Sequence, residues 1–209
     1  MKKASGLLFV VFVVYLVPTR AQDTPQWELY GAYQYLRTLP PKDAGPAENL
    51  NGWNVSLQEN KASWWGGVAD FSGSYGTQSI DLTQSFQSAG LVPPGTTVTE
   101  RSKPELYTFA GGPQFTYRAH KVQPFARIMA GAALVRQGSE LFYNSALISS
   151  SPAGNQTAFA LIAGGCADYV WKKYLSFRAA GDLVRTFFSD NPQNNIRISI
   201  GVNFRIGQL

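Results

Sequence analysis

The feature that most constrains this chain is a strict two-residue alternation near its C-terminal end. Ile196, Ile198, Ile200, Val202, Phe204 and Ile206 fall on one side of an extended backbone, with Arg197, Ser199, Gly201, Asn203 and Arg205 on the other. A helix, repeating every ~3.6 residues, would mix the two sets. A strand with one wholly apolar face is required, and the arginines opposite demand water or counter-charge.

The same alternation recurs in about eight segments of roughly ten residues, the spacing of strands that cross an outer membrane. Trp27, Leu29, Tyr33 and Tyr35 oppose Glu28, Ala32 and Gln34, and Trp53, Val55 and Leu57 oppose Asn54, Ser56 and Gln58. Trp65, Ala69, Phe71 and Tyr75 oppose Gly66, Asp70, Ser72 and Ser74; Tyr107, Phe109, Phe115 and Tyr117 oppose Thr108, Ala110, Gln114 and Thr116. A weaker alternation from Val122 to Leu134 sets Ala126, Ile128 and Ala130 against Phe125, Arg127 and Met129. Phe159, Leu161 and Ala163 then oppose Ala160, Ile162 and Gly164, and Phe177, Ala179, Gly181 and Leu183 oppose Arg178, Ala180 and Asp182.

The predicted connections alternate in length. A loop around Pro40-Pro41, one from Gly76 to Lys103, one from Gln137 to Asn155 and one from Ser189 to Asn194 are separated by turns at Glu59 to Ala62, Arg118 to Lys121 and Trp171 to Lys173. Long loops at one end and tight turns at the other predict an all-β fold, an eight-stranded antiparallel up-and-down transmembrane β-barrel, as one domain over residues 22–209.

Residues 1–21 have the form of a signal peptide: Lys2 and Lys3, an apolar run from Leu7 to Val17, Pro18, and the small-residue site Thr19-Arg20-Ala21, with cleavage expected after Ala21. An uncleaved anchor is the alternative, but the run is shorter than the roughly 20 residues a spanning helix needs. Lys2, Lys3 and Arg20 leave with the signal, so Lys+Arg falls from 18 to 15 against 13 acids, a net +2. No clustered basic stripe remains for nucleic acid. Cys166 is the single cysteine, so no intramolecular disulfide forms.

A soluble lipocalin-like barrel would alternate too, with its apolar face inward. Against it, Trp27, Trp53, Trp64, Trp65, Tyr169, Trp171 and Tyr174 gather near predicted strand ends, where a membrane barrel carries its interfacial girdle, although aromatics also serve ordinary cores. Closure of an even number of strands removes the edges that lipid cannot tolerate.

Catalysis is not expected. The sole histidine, His120, falls in a predicted turn with no nucleophile partner. No ligand spacing for a metal is present, Asp81 lacks acidic neighbours for calcium, and no cofactor motif occurs. The glycine pairs Gly66-Gly67, Gly111-Gly112 and Gly164-Gly165 precede no helix and read as space-makers within strands. Asn54-Val-Ser and Asn155-Gln-Thr match glycosylation acceptors by chance.

The expected site is an ionic network inside the barrel. Arg178 and Asp182 share one inward face, Asp168 lies beside Arg178, Glu28 meets Arg205 across the closing seam, Asp70 and Arg127 reach the same layer, and Arg197 faces inward from the last strand. Such charges either plug the barrel or line a thin water path. About eight strands leave an interior just filled by side chains, which favours the plug.

The stretches Gly52-Trp53-Asn54-Val55-Ser56, Trp65-Gly66-Gly67-Val68-Ala69-Asp70-Phe71-Ser72-Gly73, Pro124-Phe125-Ala126, Ala163-Gly164-Gly165, Arg178-Ala179-Ala180-Gly181-Asp182 and Asn195 to Gly207 resemble the OmpA-like outer-membrane β-barrel domain family, in its small single-domain form without a peptidoglycan-binding domain. The resemblance implies a bacterial outer-membrane location, contact with outer-membrane lipid and lipopolysaccharide, and passage through the barrel-assembly machinery. The last strand resembles that machinery's signal at Ser199, Gly201, Phe204 and Ile206, but ends Gly207-Gln208-Leu209 where such proteins often end on an aromatic. A structural or surface-interaction role through the long loops, with an extracellular ligand, is one expectation; a narrow pore for small solutes is the other.

Overall fold

The computed structural model describes residues 24–40, 47–118, 121–188 and 192–209. The expected signal peptide and His120 lie outside the described residues. Along the chain come β1 (Trp27–Leu39), β2 (Asn49–Asn60), β3 (Trp65–Tyr75), β4 (Gln78–Asp81), α1 (Thr83–Ser88), β5 (Val98–Thr116), β6 (Val122–Tyr143), β7 (Ala146–Lys172), β8 (Leu175–Phe187) and β9 (Pro192–Ile206). Every strand pairing is antiparallel.

Eight of these strands close a ring. Chain neighbours pair from β1 to β3 and from β5 to β9, β3 pairs with β5, and β1 pairs with β9 from Trp27 opposite Ile206 to Leu39 opposite Asn194. The short β4 lies outside the ring, on the far part of β5. Both described termini and the tight turns share one end, where the Leu209 N–H donates to the Thr24 carbonyl at 2.9 Å. We call this the turn end and the opposite one the loop end.

The two faces of each strand settle which way the barrel is turned. Ile200 is 65% exposed and Tyr33, Phe109 and Ile128 are each 61% exposed, whereas Gln34 and Arg197 are 0% exposed. Burying one such apolar side chain is worth ~1.5–3 kcal/mol, so a ring of them facing outward is stable only against hydrocarbon. The lipocalin-like alternative, with apolar residues inside and polar ones out, is thereby corrected. Among the described residues no helix is long and apolar enough to cross a membrane; the strands do the crossing.

Aromatic rings edge the apolar belt at both ends. At the turn end Trp64 stacks on Phe115 with centroids 5.9 Å apart, and the Lys172 ammonium lies 4.9 Å from the Trp171 ring. At the loop end Trp53 meets Phe71 edge-on at 5.1 Å and donates its indole N–H to the Tyr75 hydroxyl at 3.3 Å. These rings, apolar in body and polar at the tip, suit the membrane interface.

Two predicted loops contain strand, the second almost throughout. β5 begins at Val98 rather than Glu105, and the predicted loop from Gln137 to Asn155 is a continuous β6–β7 hairpin. Its two-residue turn, Asn144-Ser145, takes φ of 46° and 67°, the left-handed pair that matches strand twist, with asparagine at a position it favours. The Asn144 Oδ1 accepts the Thr97 N–H at 2.9 Å, fixing the tip to the start of β5. This hairpin hides from a reading of alternation because residues 146–157 are exposed on both faces.

The glycines do more than make room. A Cβ on Gly131 would overlap the Phe109 carbonyl oxygen, and one on Gly164 would overlap the Gly181 carbonyl oxygen and Asp182 Oδ1. Their absence of a side chain lets neighbouring backbones close in. Gly164→Ala is therefore expected to destabilise the barrel by roughly 1–3 kcal/mol, the usual cost of overpacking. Urea unfolding in detergent micelles, compared with Gly67→Ala, where a Cβ meets nothing within 4 Å, measures it.

Candidate functional site

Strand parity sends alternate residues of all eight ring strands into one narrow lumen, and the charged ones collect in two layers. In the layer near the turn end, the Arg178 guanidinium forks onto Asp168, Nε donating to Oδ1 at 2.6 Å and Nη2 to Oδ2 at 2.7 Å. Arg178 Nη2 also donates to Glu28 Oε2 at 2.9 Å, and Arg118 binds the other Glu28 oxygen. Asn60 and Asn203 donate to the two Glu28 oxygens at 3.0 and 2.7 Å. The face of Arg178 packs over Tyr30 and Phe125, its guanidinium carbon 5.3 and 4.7 Å from the ring centroids.

The second layer crosses the lumen farther from the turns. Arg127 forks onto Asp182, Nε to Oδ1 at 3.0 Å and Nη2 to Oδ2 at 2.8 Å. Arg197 bridges the two acids, Nε donating to Asp182 Oδ2 at 2.9 Å and Nη1 to Asp70 Oδ1 at 2.8 Å. Asn54 donates to the other Asp70 oxygen at 2.9 Å. Asn54 is 0% exposed, which leaves no space for a glycan at its acceptor sequence.

Each layer is neutral: Glu28 and Asp168 balance Arg118 and Arg178, and Asp70 and Asp182 balance Arg127 and Arg197. These eight side chains are buried. Charge removed from water survives only if paired and hydrogen-bonded, and the forked arginines meet that condition. Partners come from β1, β2, β3, β6, β7, β8 and β9 and from the turn after β5, so the layers tie the wall together across its diameter.

Of the residues expected from the sequence, the structure joins Glu28, Asp168 and Arg178 in one layer and Asp70, Arg127, Asp182 and Arg197 in the other. Arg178 and Asp182, neighbours on β8, belong to different layers. Arg205 is the backbone partner of Glu28 in the β1–β9 register and is half-buried, and the ion pairs of Glu28 run to Arg118 and Arg178 instead. Glu28 leans into the lumen toward arginines already held there.

Arg118, Asn60 and Asn203 join the first layer without being among the expected charged set. Arg118, in a predicted turn, continues the inward parity of Gln114 and Thr116, and that parity is the signal for it. The expected assembly-signal residues separate by face: Ser199 is buried and accepts a hydrogen bond from the Tyr30 hydroxyl at 3.1 Å, whereas Phe204 and Ile206 are exposed on the belt. A side chain on Gly201 would overlap the Gly31 carbonyl oxygen.

Apolar residues fill the rest of the lumen, which is less polar than expected. Val68, Ala110, Met129, Ile162 and Val184 form one cluster; Leu36, Leu50, Leu106, Ala133 and Ala160 form a second, with Val135 packed against it. Leu50, Leu106 and Val135 are the floor of an open cup of about 990 Å³ at the loop end, whose wall includes Glu48, Glu100 and Asn195. Among the described residues no group of three histidine, cysteine or acidic side chains is placed to hold a metal ion.

An outward apolar belt, two aromatic girdles and a closed ring of eight strands define a small transmembrane β-barrel of the outer-membrane class. No family model and no curated protein sequence matches the chain. Among solved structures it is similar to Ail, the attachment invasion locus protein of Yersinia pestis, with a TM-score of 0.58, 14% identity, and coverage of 87% of this chain and 99% of that one. It is also similar to Ail in complex with the heparin analogue sucrose octasulfate, with a TM-score of 0.56, 13% identity, and coverage of 87% and 99%. Neisserial surface protein A gives a TM-score of 0.50 at 10% identity, covering 87% of this chain and 97% of that one. At these identities the likeness is one of fold.

Proposed function

We propose that the protein is a non-enzymatic, integral outer-membrane barrel of the OmpA-like small-barrel family that anchors a projecting β-sheet for contact with molecules outside the cell. The observation that carries this reading is the inequality of the strands. β1 and β3 are 13 and 11 residues long, near the ~9–11 a tilted strand needs to span the hydrocarbon, but β6 and β7 are 22 and 27. The surplus rises at the loop end, the side that in such barrels faces outward.

The projecting sheet has a free edge. β7 pairs with β8 only from Phe159 onward, so among the described residues its 146–158 stretch is bonded on the β6 side alone. Leu147 and Ile148 near its tip are 56% and 57% exposed. Unpaired N–H and C=O groups beside exposed apolar side chains suit the addition of a strand from a partner. Pro152 interrupts that edge and limits self-association. On β5 and β6 of this projection Arg101, Lys103 and Arg136 are matched by Glu100, Glu105 and Glu140, so it lacks the positive excess that a sulfated glycan would need.

The signal peptide over residues 1–21 would direct export, the barrel-assembly machinery would read β9 through Ser199, Gly201, Phe204 and Ile206, and lipopolysaccharide would meet the loop-end aromatics. The two neutral layers act as a plug. The full-length protein, expressed in cells and extracted in detergent, is expected to show heat-modifiable gel mobility and no stable conductance in planar bilayers. Stable conductance would transfer the reading to a narrow pore; a water-soluble product without the mobility shift would remove the membrane reading.

A further inference from the structure

The turn end of the barrel carries its charge on one side. Lys121 precedes β6, Lys172 ends β7 with Lys173 after it, and Arg205 lies near the end of β9. Backbone hydrogen bonds join these places: the Val170 N–H donates to the Lys121 carbonyl at 2.7 Å, and the Arg205 N–H to the Tyr174 carbonyl at 2.9 Å. Across the ring, at the β2–β3 turn, Lys61 is neutralised by Glu59 at 2.6 Å. Even with Asp23 and the Leu209 carboxylate counted against them, four cations against two anions leave an excess of +2.

Within this charged side, Lys172 is held in the plane of the aromatic girdle. Its ammonium lies 4.9 Å from the Trp171 ring centroid and 5.7 Å from that of Tyr174, and both rings are 57% exposed. Toward the membrane midplane the neighbouring wall is smooth. Pro124, Ala167 and Ala179 face outward in one row across β6, β7 and β8, and Ala126, Gly165 and Gly181 in the next. Exposed Phe115 stands on the β5 side of these rows and exposed Ile198 and Ile200 on the β9 side. Three strands at a spacing of ~4.8 Å give a shallow trough about 10 Å wide, enough for an acyl chain.

We propose that this edge binds the phosphate of an anionic phospholipid, a phosphatidylglycerol, with an acyl chain laid in the trough. The inference rests on the reading that the loop end faces outward, which sets the turn end in the phospholipid leaflet. Lys121 and Lys172 donate charge-assisted hydrogen bonds to the phosphodiester oxygens, and the Trp171 indole N–H and Tyr174 hydroxyl add donors at the level of the glycerol. A zwitterionic headgroup brings its own cation, which the surplus positive charge disfavours. A soluble phosphate gains nothing from the trough. An acidic protein would meet the lysines from the water, whereas the two rings hold Lys172 in the interface, so the lipid is the occupant.

Native mass spectrometry of the full-length protein in non-ionic detergent, supplied with equimolar phosphatidylglycerol and phosphatidylcholine of the same acyl chains, tests it. Retention of phosphatidylglycerol over phosphatidylcholine by about fivefold or more is expected, the effect of one well-placed lysine at a lipid surface. The preference should fall to roughly twofold or less in Lys121→Gln/Lys172→Gln, and persist in Lys61→Gln, whose lysine sits across the ring in a neutral pair. Gel mobility reports whether each variant has folded; should the double variant fail to fold, Lys172→Gln alone decides, with a loss of about threefold or more expected. Glycerol phosphate, which has the headgroup chemistry without a chain, should not displace the lipid. Equal retention of the two lipids, an unaltered preference in the folded variant, an equal loss in Lys61→Gln, or displacement by glycerol phosphate would each overturn the assignment. A chain without heat-modifiable mobility fails as a membrane barrel, whereas a folded, mobility-shifted chain that retains both lipids equally fails only in this inference.

Discussion

Asp182→Ala is expected to cost the folded barrel about 3–5 kcal/mol, because it removes the acid that two buried guanidinium groups share and leaves the layer with a net positive charge. Arg127 loses both arms of its fork and keeps only its 3.5 Å approach to Asp70, and Arg197 likewise keeps only Asp70 as an ionic partner. The free-energy difference is read from reversible urea unfolding in detergent micelles, followed by tryptophan fluorescence. Removing Arg127 along with the acid, as Asp182→Ala/Arg127→Met, should restore a large part of the loss, since one charge of each sign leaves the layer together. A single variant as stable as the parent would show that water, rather than protein, carries these charges, and the lumen would then be a hydrated path.

Ile200→Arg should be nearly as damaging, at about 2–4 kcal/mol, the cost of placing an arginine at the midplane on the lipid face of a barrel. Ile200 lies near the middle of β9 and is the most exposed of that strand's apolar residues, at 65%. Leu147→Arg, on a 56% exposed leucine of the projecting hairpin, is expected to change stability by less than ~0.5 kcal/mol, as for an ordinary surface site. The pair of variants maps the belt. If both cost the same in unfolding titrations, the apolar ring does not face hydrocarbon.

How far the sequence revealed this arrangement depends on how strongly each strand's two faces differ. β9 was readable because isoleucines alternate with arginine, serine and asparagine, so one residue of slip would reverse every side chain. Inward parity located Asp70, Arg127, Asp168, Arg178, Asp182 and Arg197. What parity cannot supply is height along the barrel axis, because strands tilt and each register is a separate fact. Arg178 and Asp182 share one inward face yet lie in two layers, and parity alone does not show that Glu28, opposite Arg205 in the register, pairs with Arg118 and Arg178. The far halves of β6 and β7 were invisible for another reason: Ser149-Ser150-Ser151-Pro152 reads as a loop, and only hydrogen bonding to a neighbouring strand keeps it extended.

The seam between β1 and β9 also bears on how such a chain must fold. Its first and last strands meet edge to edge, and contacts across it, such as Asn203 with Glu28, join residues 175 positions apart. Until β9 arrives, β1 has an open edge, Glu28 lacks one of its donors, and Arg197 is missing from its layer. Pairings this remote are entropically expensive and slow, and an unpaired edge invites association with other chains in the meantime. Closure is therefore the committing step of folding, and variants along this seam should slow the appearance of the native barrel more than equally destabilising ones in the β6–β7 hairpin, whose strands find each other locally.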